Sequence, residues 1–181
     1  MNILLVEPEY RRSSASYRAR QSDASTQRKD DESLWYPPLG LMKLATFHRR
    51  RGDYVRFVNF CDPQLLSDDG GFSNTVMWDR VYITTLFTFD WDNVISTIDF
   101  FLEVVGGSTR KVMVGGIMAT LMADEIYEKT RATIVEGVIH SPKQIGLDGD
   151  DDIDLLPPDY SILPSDVYAI NDTYYGYTTR C

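Results

Sequence analysis

Three short stretches hold the residue types that could receive a small molecule: Thr84-Thr85-Leu86, Gly115-Gly116 and Gly137, each following an apolar run. Hydroxyls beside glycines make an edge where a ligand can approach the main chain, because glycine puts no Cβ in the way; glycines of this kind also serve sharp turns. None of these residues forms an acid–base or nucleophile pair, so the stretches mark a location and no catalytic residue is assigned. A phosphate cradle is absent: no Gly-x-Gly-x-x-Gly or Walker sequence follows the first apolar run, and Glu7 and Glu9 stand where a nucleotide phosphate would need N–H groups and positive charge. NAD, FMN and ATP are therefore poor candidates. A phosphoacceptor Asp would have to close the run that ends in Thr84-Thr85-Leu86, and Asp90 arrives a turn too late.

The remaining chemistry-bearing residues read more plainly. Cys61 and Cys181 show no metal-ligand spacing. His48, at the end of a basic helix, reads as a surface or capping residue. Asp148, Asp150, Asp152 and Asp154 alternate as in a calcium loop, but Ile153 stands where that loop needs glycine and Pro157-Pro158 prevents the exiting helix, so a solvated acidic linker is expected. Tyr174, Tyr175 and Tyr177 could stack on a base, and an aromatic strand edge explains them more simply.

The elements that must position the three stretches follow from apolar periodicity. Asn2 to Val6 is a continuous apolar run, the signature of a strand buried on both faces. About twenty-five polar residues follow, Tyr10 to Leu34, expected as a solvated loop with an ordered cover over a ligand as the alternative. Pro37-Pro38 opens a helix whose Leu41, Leu44, Ala45 and His48 recur at helical spacing, and Arg49-Arg50-Arg51-Gly52 closes it. Strands are expected over Tyr54 to Phe60, Arg80 to Leu86, Lys111 to Val114 and Thr133 to Val135, with Gly115-Gly116 breaking the third of these. Helices are expected over Trp91 to Val105 and Leu121 to Lys129, and Cys61 to Asn74 as a loop with at most a short helix. Strands alternating with helices imply an α/β, doubly wound, mainly parallel five-stranded sheet. Such a sheet binds ligands at the carboxyl ends of its strands, which is where the three stretches fall.

Composition limits the rest. A chain of 181 residues, 43% of them hydrophobic, buries one core with an extension to spare. A net charge of −9 repels a phosphate backbone, so nucleic acid is not an expected partner. The first apolar run is too short for a signal peptide and no later one approaches a membrane span; with two unpaired cysteines, these features lead to a cytoplasmic expectation.

Four segments together suggest a family. Tyr36-Pro37-Pro38-Leu39-Gly40-Leu41, continuing through a helix, Gly52 and a strand, resembles the Pro-Pro-Leu-Gly-Leu helix of the B12-binding-like (flavodoxin-like) domain that leads many radical SAM proteins. Val112-Met113-Val114-Gly115-Gly116-Ile117-Met118-Ala119-Thr120 is similar to that family's strand ending in Gly-Gly-x-x-Ala-Thr. Asp154-Leu155-Leu156-Pro157-Pro158-Asp159-Tyr160 resembles its interdomain linker, and Tyr177-Thr178-Thr179-Arg180 resembles the strand entering the catalytic barrel. The resemblance covers nearly the whole chain. It implies a B12-binding-like domain over 1–140, and over 141–181 an acidic, Pro-containing linker and first strand leading to a radical SAM barrel of the same chain. It implies a crevice edged by Pro38, Leu39, Gly40, Thr84, Thr85, Leu86, Gly115, Gly116 and Gly137. In the full-length protein a [4Fe-4S] cluster would cleave S-adenosylmethionine, with Cys181 either its first ligand or in the position of the glycine before it. These residues alone, lacking the other two cysteines, are expected to be inactive and to hold no cluster.

The Asp-x-His-x-x-Gly loop that ligates cobalt is missing, since Thr46 precedes His48 and Val138 precedes His140 at the Asp position. Histidine-on cobalamin is thereby excluded. Cobalamin remains possible without histidine, and its loss is the stronger expectation. The alternative function is a stand-alone binding module for a small molecule of cobalamin type or for a protein, with no enzymatic role.

Overall fold

The computed structural model describes residues 1–9, 36–66, 76–164, 168, 175 and 176. Strands β1 (Asn2–Val6), β2 (Tyr54–Val58), β3 (Arg80–Thr85), β4 (Val112–Gly116) and β5 (Thr133–Val135) form one sheet in the order β2-β1-β3-β4-β5. Every neighbouring pair is parallel. The helices are α1 (Leu39–Arg50), α2 (Trp91–Val104), α3 (Ile117–Leu121) and α4 (Ala123–Thr130). The step from β1 to β2 runs one way across the sheet and the steps from β3 to β5 run the other. Because parallel crossovers share one hand, the two groups of helices are sent to opposite faces. The fold is doubly wound, with the flavodoxin-like strand order.

Alternation along the strands divides the core. Leu4, Val6, Val81, Ile83, Val112 and Val114 face Val94, Ile98 and Phe101 of α2 and Met118 and Ile126 of α3 and α4. Ile3, Leu5, Tyr82, Met113 and Val135 face the other way, onto Leu41, Leu44 and Phe47 of α1. Both faces are therefore apolar, which is why β1 and β4 read as continuous apolar runs rather than as alternating ones.

Several boundaries differ from the sequence reading. β2 ends at Val58, two residues short of Phe60, and Pro63–Leu65 forms a single 3-10 turn in the loop after it. β4 is not broken by its glycines: Gly115 and Gly116 pair in register with Thr84 and Thr85, and the turn comes only where Gly116 takes φ +101°. The helix expected over Leu121 to Lys129 starts two residues later, at Ala123, and a short helix not expected from the sequence, Ile117–Leu121, precedes it across Met122. His48 is not a surface residue but fully buried. The loop expected over Tyr10 to Leu34, residues 67–75, Tyr174, Tyr177 and Cys181 lie outside the described residues.

The acidic stretch after β5 is more than a solvated spacer over 141–164. Its carboxylates at Asp150, Asp151 and Asp152 are exposed, while Ile145, Ile153 and Leu156 join the cluster under α1 and Leu163 packs beside Met42. Ser141 and Gln144 cap its first turn reciprocally. Thr46 Oγ1 donates to the Pro157 carbonyl at 2.6 Å, Asp159 N donates to the Met42 carbonyl at 3.1 Å, and the Arg80 guanidinium donates to the carbonyls of Ile145 and Gly146. A strap of turns thus lies along α1 on the face that, among the described residues, this one helix covers.

Candidate functional site

The Gly-Gly turn sets the geometry at the carboxyl edge. A Cβ on Gly116 would stand 2.3 Å from the Thr85 carbonyl oxygen and 2.8 Å from its nitrogen, so β3 and β4 approach there as only glycine permits. Thr85, buried beneath, donates to the Gly115 carbonyl at 2.9 Å and accepts from Ala119 N at 2.9 Å, satisfying an otherwise unpaired amide of α3. Thr120 Oγ1 donates to the Gly116 carbonyl and accepts from Gly137 N, both at 2.9 Å. The Gly-Gly-x-x-Ala-Thr segment therefore knits together the ends of β3, β4 and β5.

Beside this turn, between the carboxyl halves of β3, β4 and β5, the first turns of α1 and the strap, lies a partly open cavity of about 140 Å³. Its floor is apolar, built from Leu41, Leu44, Met113 and Val135, with Val138, Ile139 and Ile153 on the strap side. Of the expected crevice residues, Gly40, Thr84, Gly115, Gly116 and Gly137 line it together. Thr85 points to the other side, into the α3 contact, and Leu86 lies past the end of β3 outside the lining. Pro38 caps the start of α1, its carbonyl accepting from Met42 N, and Leu39 packs with Met42, Leu163 and Tyr168 instead.

The charged pair at the cavity, Lys43 and Asp154, went unrecognised in the sequence. Lys43 Nζ stands 2.8 Å from Asp154 Oδ1 and also donates to the Asp154 carbonyl, with both side chains about five-sixths buried. A separation of 111 residues leaves no local signal linking them. Tyr82 forms part of the lining, and its hydroxyl meets His48 Nε2 at 3.1 Å. His48 Nδ1 is 2.7 Å from Asp53, whose other oxygen takes the N-terminal ammonium at 2.8 Å.

Burial pushes His48 below its ordinary value, Asp53 pulls back, and the charges of Arg80 and Arg51 add to the lowering. The ring is therefore neutral, donating to Asp53 from Nδ1 and accepting the Tyr82 hydroxyl at Nε2. Burial alone would raise Asp53, but the bonds from the N-terminal ammonium and His48 outweigh it and hold the carboxylate below its usual range. Burial pushes the Tyr82 phenol up to about 12. This chain ties the end of α1 to the amino ends of β1, β2 and β3. It offers the cavity no group that exchanges a proton at neutral pH.

Glu7, which closes β1 at the point where strand order reverses, is buried and accepts a hydrogen bond from the Tyr168 hydroxyl. Among the described residues no three His, Cys, Asp or Glu side chains stand together as a metal site. Cys61 is half-buried beside Thr97, and burial pushes its thiol up, away from the thiolate a metal needs. No helix among the described residues is long and apolar enough to cross a membrane. What the arrangement can do is bind: an apolar recess with a neutralised ion pair and a glycine edge takes in a group by excluding water from it. No family model matches the chain, and no curated protein matches it.

Proposed function

We propose that this chain is the accessory N-terminal domain of a radical SAM enzyme of the cytoplasm, shaping the small-molecule entrance beside a barrel of the same chain. One observation carries the reading. The Pro-Pro-Leu-Gly-Leu helix start and the Gly-Gly-x-x-Ala-Thr turn, 75 residues apart in sequence as Gly40 and Gly115, border one cavity at the carboxyl ends of the strands. That cavity is where a sheet of this order takes its ligands.

In this reading the barrel's [4Fe-4S] cluster supplies reductive cleavage of S-adenosylmethionine, and the domain described here contributes binding alone. The described residues provide no thiolate set for a cluster. His48, held by Asp53 and Tyr82 at the amino edge of the sheet, is not placed to ligate a cobalt at the carboxyl edge. Histidine-ligated cobalamin therefore does not fit.

The test is a gene product extended past Cys181, reconstituted anaerobically with iron and sulfide and assayed for 5′-deoxyadenosine release. Cluster absorbance and that product are expected. Downstream residues without two further cysteines at the family spacing, or no cluster formed by them, would overturn the proposal. The second reading, a stand-alone binding module, is favoured by the cavity lining, which among the described residues comes entirely from 40–154. Co-elution of hydroxocobalamin with the chain on gel filtration, without histidine ligation in its spectrum, would support that reading in its cobalamin-type form.

A further inference from the structure

Size and lining together specify what the cavity accepts. An engineered apolar cavity of about 150 Å³ stays dry and binds benzene, and the present one is of nearly that volume, ≈ 140 Å³. Its wall is aliphatic on the α1 and strap sides, with Met113 of β4 and the ring of Tyr82 from β3. Among the described residues its one lining cation, Lys43, already holds the Asp154 carboxylate at 2.8 Å, so its charge is matched before any ligand enters. Exposed Glu136 stands between the lining residues Val135 and Gly137 and gives the mouth a negative charge, in a chain of net charge −9. An anion entering would lose its hydration and meet a lysine already paired with a carboxylate, a cost that an uncharged ring does not bear.

We infer that the cavity takes an uncharged group of single-ring size, aromatic or branched aliphatic, and rejects carboxylates and phosphates of the same shape. This deepens the reading of the cavity as a ligand site and rests on it. The ring lies against Tyr82 and Met113, with Leu44 and Ile139 on either side, and substituents leave past Gly116 and Gly137, the side with the least side-chain bulk among the described residues. The Lys43–Asp154 pair stays closed during binding and keeps the strap in place as the fourth wall.

The test uses the chain itself with toluene, indole and benzoate, read by saturation-transfer NMR and by thermal shift. Toluene and indole should bind saturably and raise the midpoint, with benzoate at least about tenfold weaker. Val138→Trp fills the cavity from the strap side and should weaken indole by at least about tenfold while the circular dichroism stays native. Ile139→Trp is the second filling variant, read the same way if the first does not fold. Benzoate binding as tightly as indole overturns the ligand class and leaves the cavity as a site. Unchanged indole binding in a folded filling variant places the ring elsewhere and overturns the inference. Absence of binding by all three removes the cavity as a ligand site altogether.

Discussion

Replacing Gly116 and Gly40 by alanine, one at a time, should move stability in opposite directions. At Gly116 the backbone has φ +101° and ψ −176°, a region open essentially to glycine, which costs an alanine about 1–3 kcal/mol. The new Cβ would also lie 2.3 Å from the Thr85 carbonyl oxygen, which is backbone and cannot rotate away. Relief requires β3 and β4 to separate at their ends, loosening the two bonds of the Thr85 hydroxyl, each contributing about 1 kcal/mol. The sum is about 3–5 kcal/mol, which for a chain of this size lowers the midpoint by roughly 6–20 °C. Gly40 lies early in α1 with nothing within 4 Å of an added Cβ and an ordinary φ, so alanine there stabilises by up to about 1 kcal/mol through helix propensity. Urea unfolding followed by circular dichroism, with thermal scans in parallel, reads both variants. A Gly116→Ala protein within about 1 kcal/mol of wild type would refute the close approach of β3 and β4, and with it the account of the glycine edge.

Three further outcomes follow from the same geometry. Thr85→Val keeps the shape but strands the Ala119 amide and the Gly115 carbonyl, costing about 1–3 kcal/mol; hydrogen exchange at Ala119 should accelerate, and unchanged exchange would count against the capping role. Stability should fall as pH drops below 6.5, because His48 has its folded value below its unfolded one and the unfolded chain then binds the extra proton; the loss levels off below the folded value. Asp53, also lowered, adds a second loss at more acid pH, below 3.8 and down through its folded value. The groups facing His48 are Asp53, Tyr82, Arg80 and Arg51, and a His48→Gln protein should lack the first of these losses in a pH series of urea midpoints. Lys43→Met should loosen the strap, at a cost of about 1–3 kcal/mol because the largely buried Asp154 carboxylate loses its partner, and speed proteolysis within 148–156; an unchanged cleavage rate would show that the apolar residues alone hold it.

Local pattern was enough for the sheet and its helices. Each strand and the helices α1, α2 and α4 announce themselves by the spacing of their own apolar residues, α3 being the exception, and the direction of each crossover follows from chain chirality, so the doubly wound parallel fold could be read without any long-range contact. The glycine edge was legible too, because glycine and hydroxyl residues mark strand ends by type. That Gly115 and Gly116 remain within β4 was not legible: the reason is the main chain of β3 lying against Gly116, and no one-dimensional pattern records a neighbour.

Tertiary structure alone decided the rest. His48 carries the same residues on either side whether it lies at a surface or at the centre of a chain from Asp53 to Tyr82; its burial depends on where β2 and β3 bring their side chains. Ile145, Ile153 and Leu156 are isolated among acids, with neither period 2 nor period 3.6, so their burial comes from the uncovered face beside α1 and not from their own spacing. The cavity wall that this strap completes, and the Lys43–Asp154 pair that pins it across 111 residues, exist only once the chain has folded back on itself. Residue type along the chain determined the layers and the edge where a ligand could enter, whereas the volume and charge of the space behind that edge depended on contacts between residues far apart in sequence.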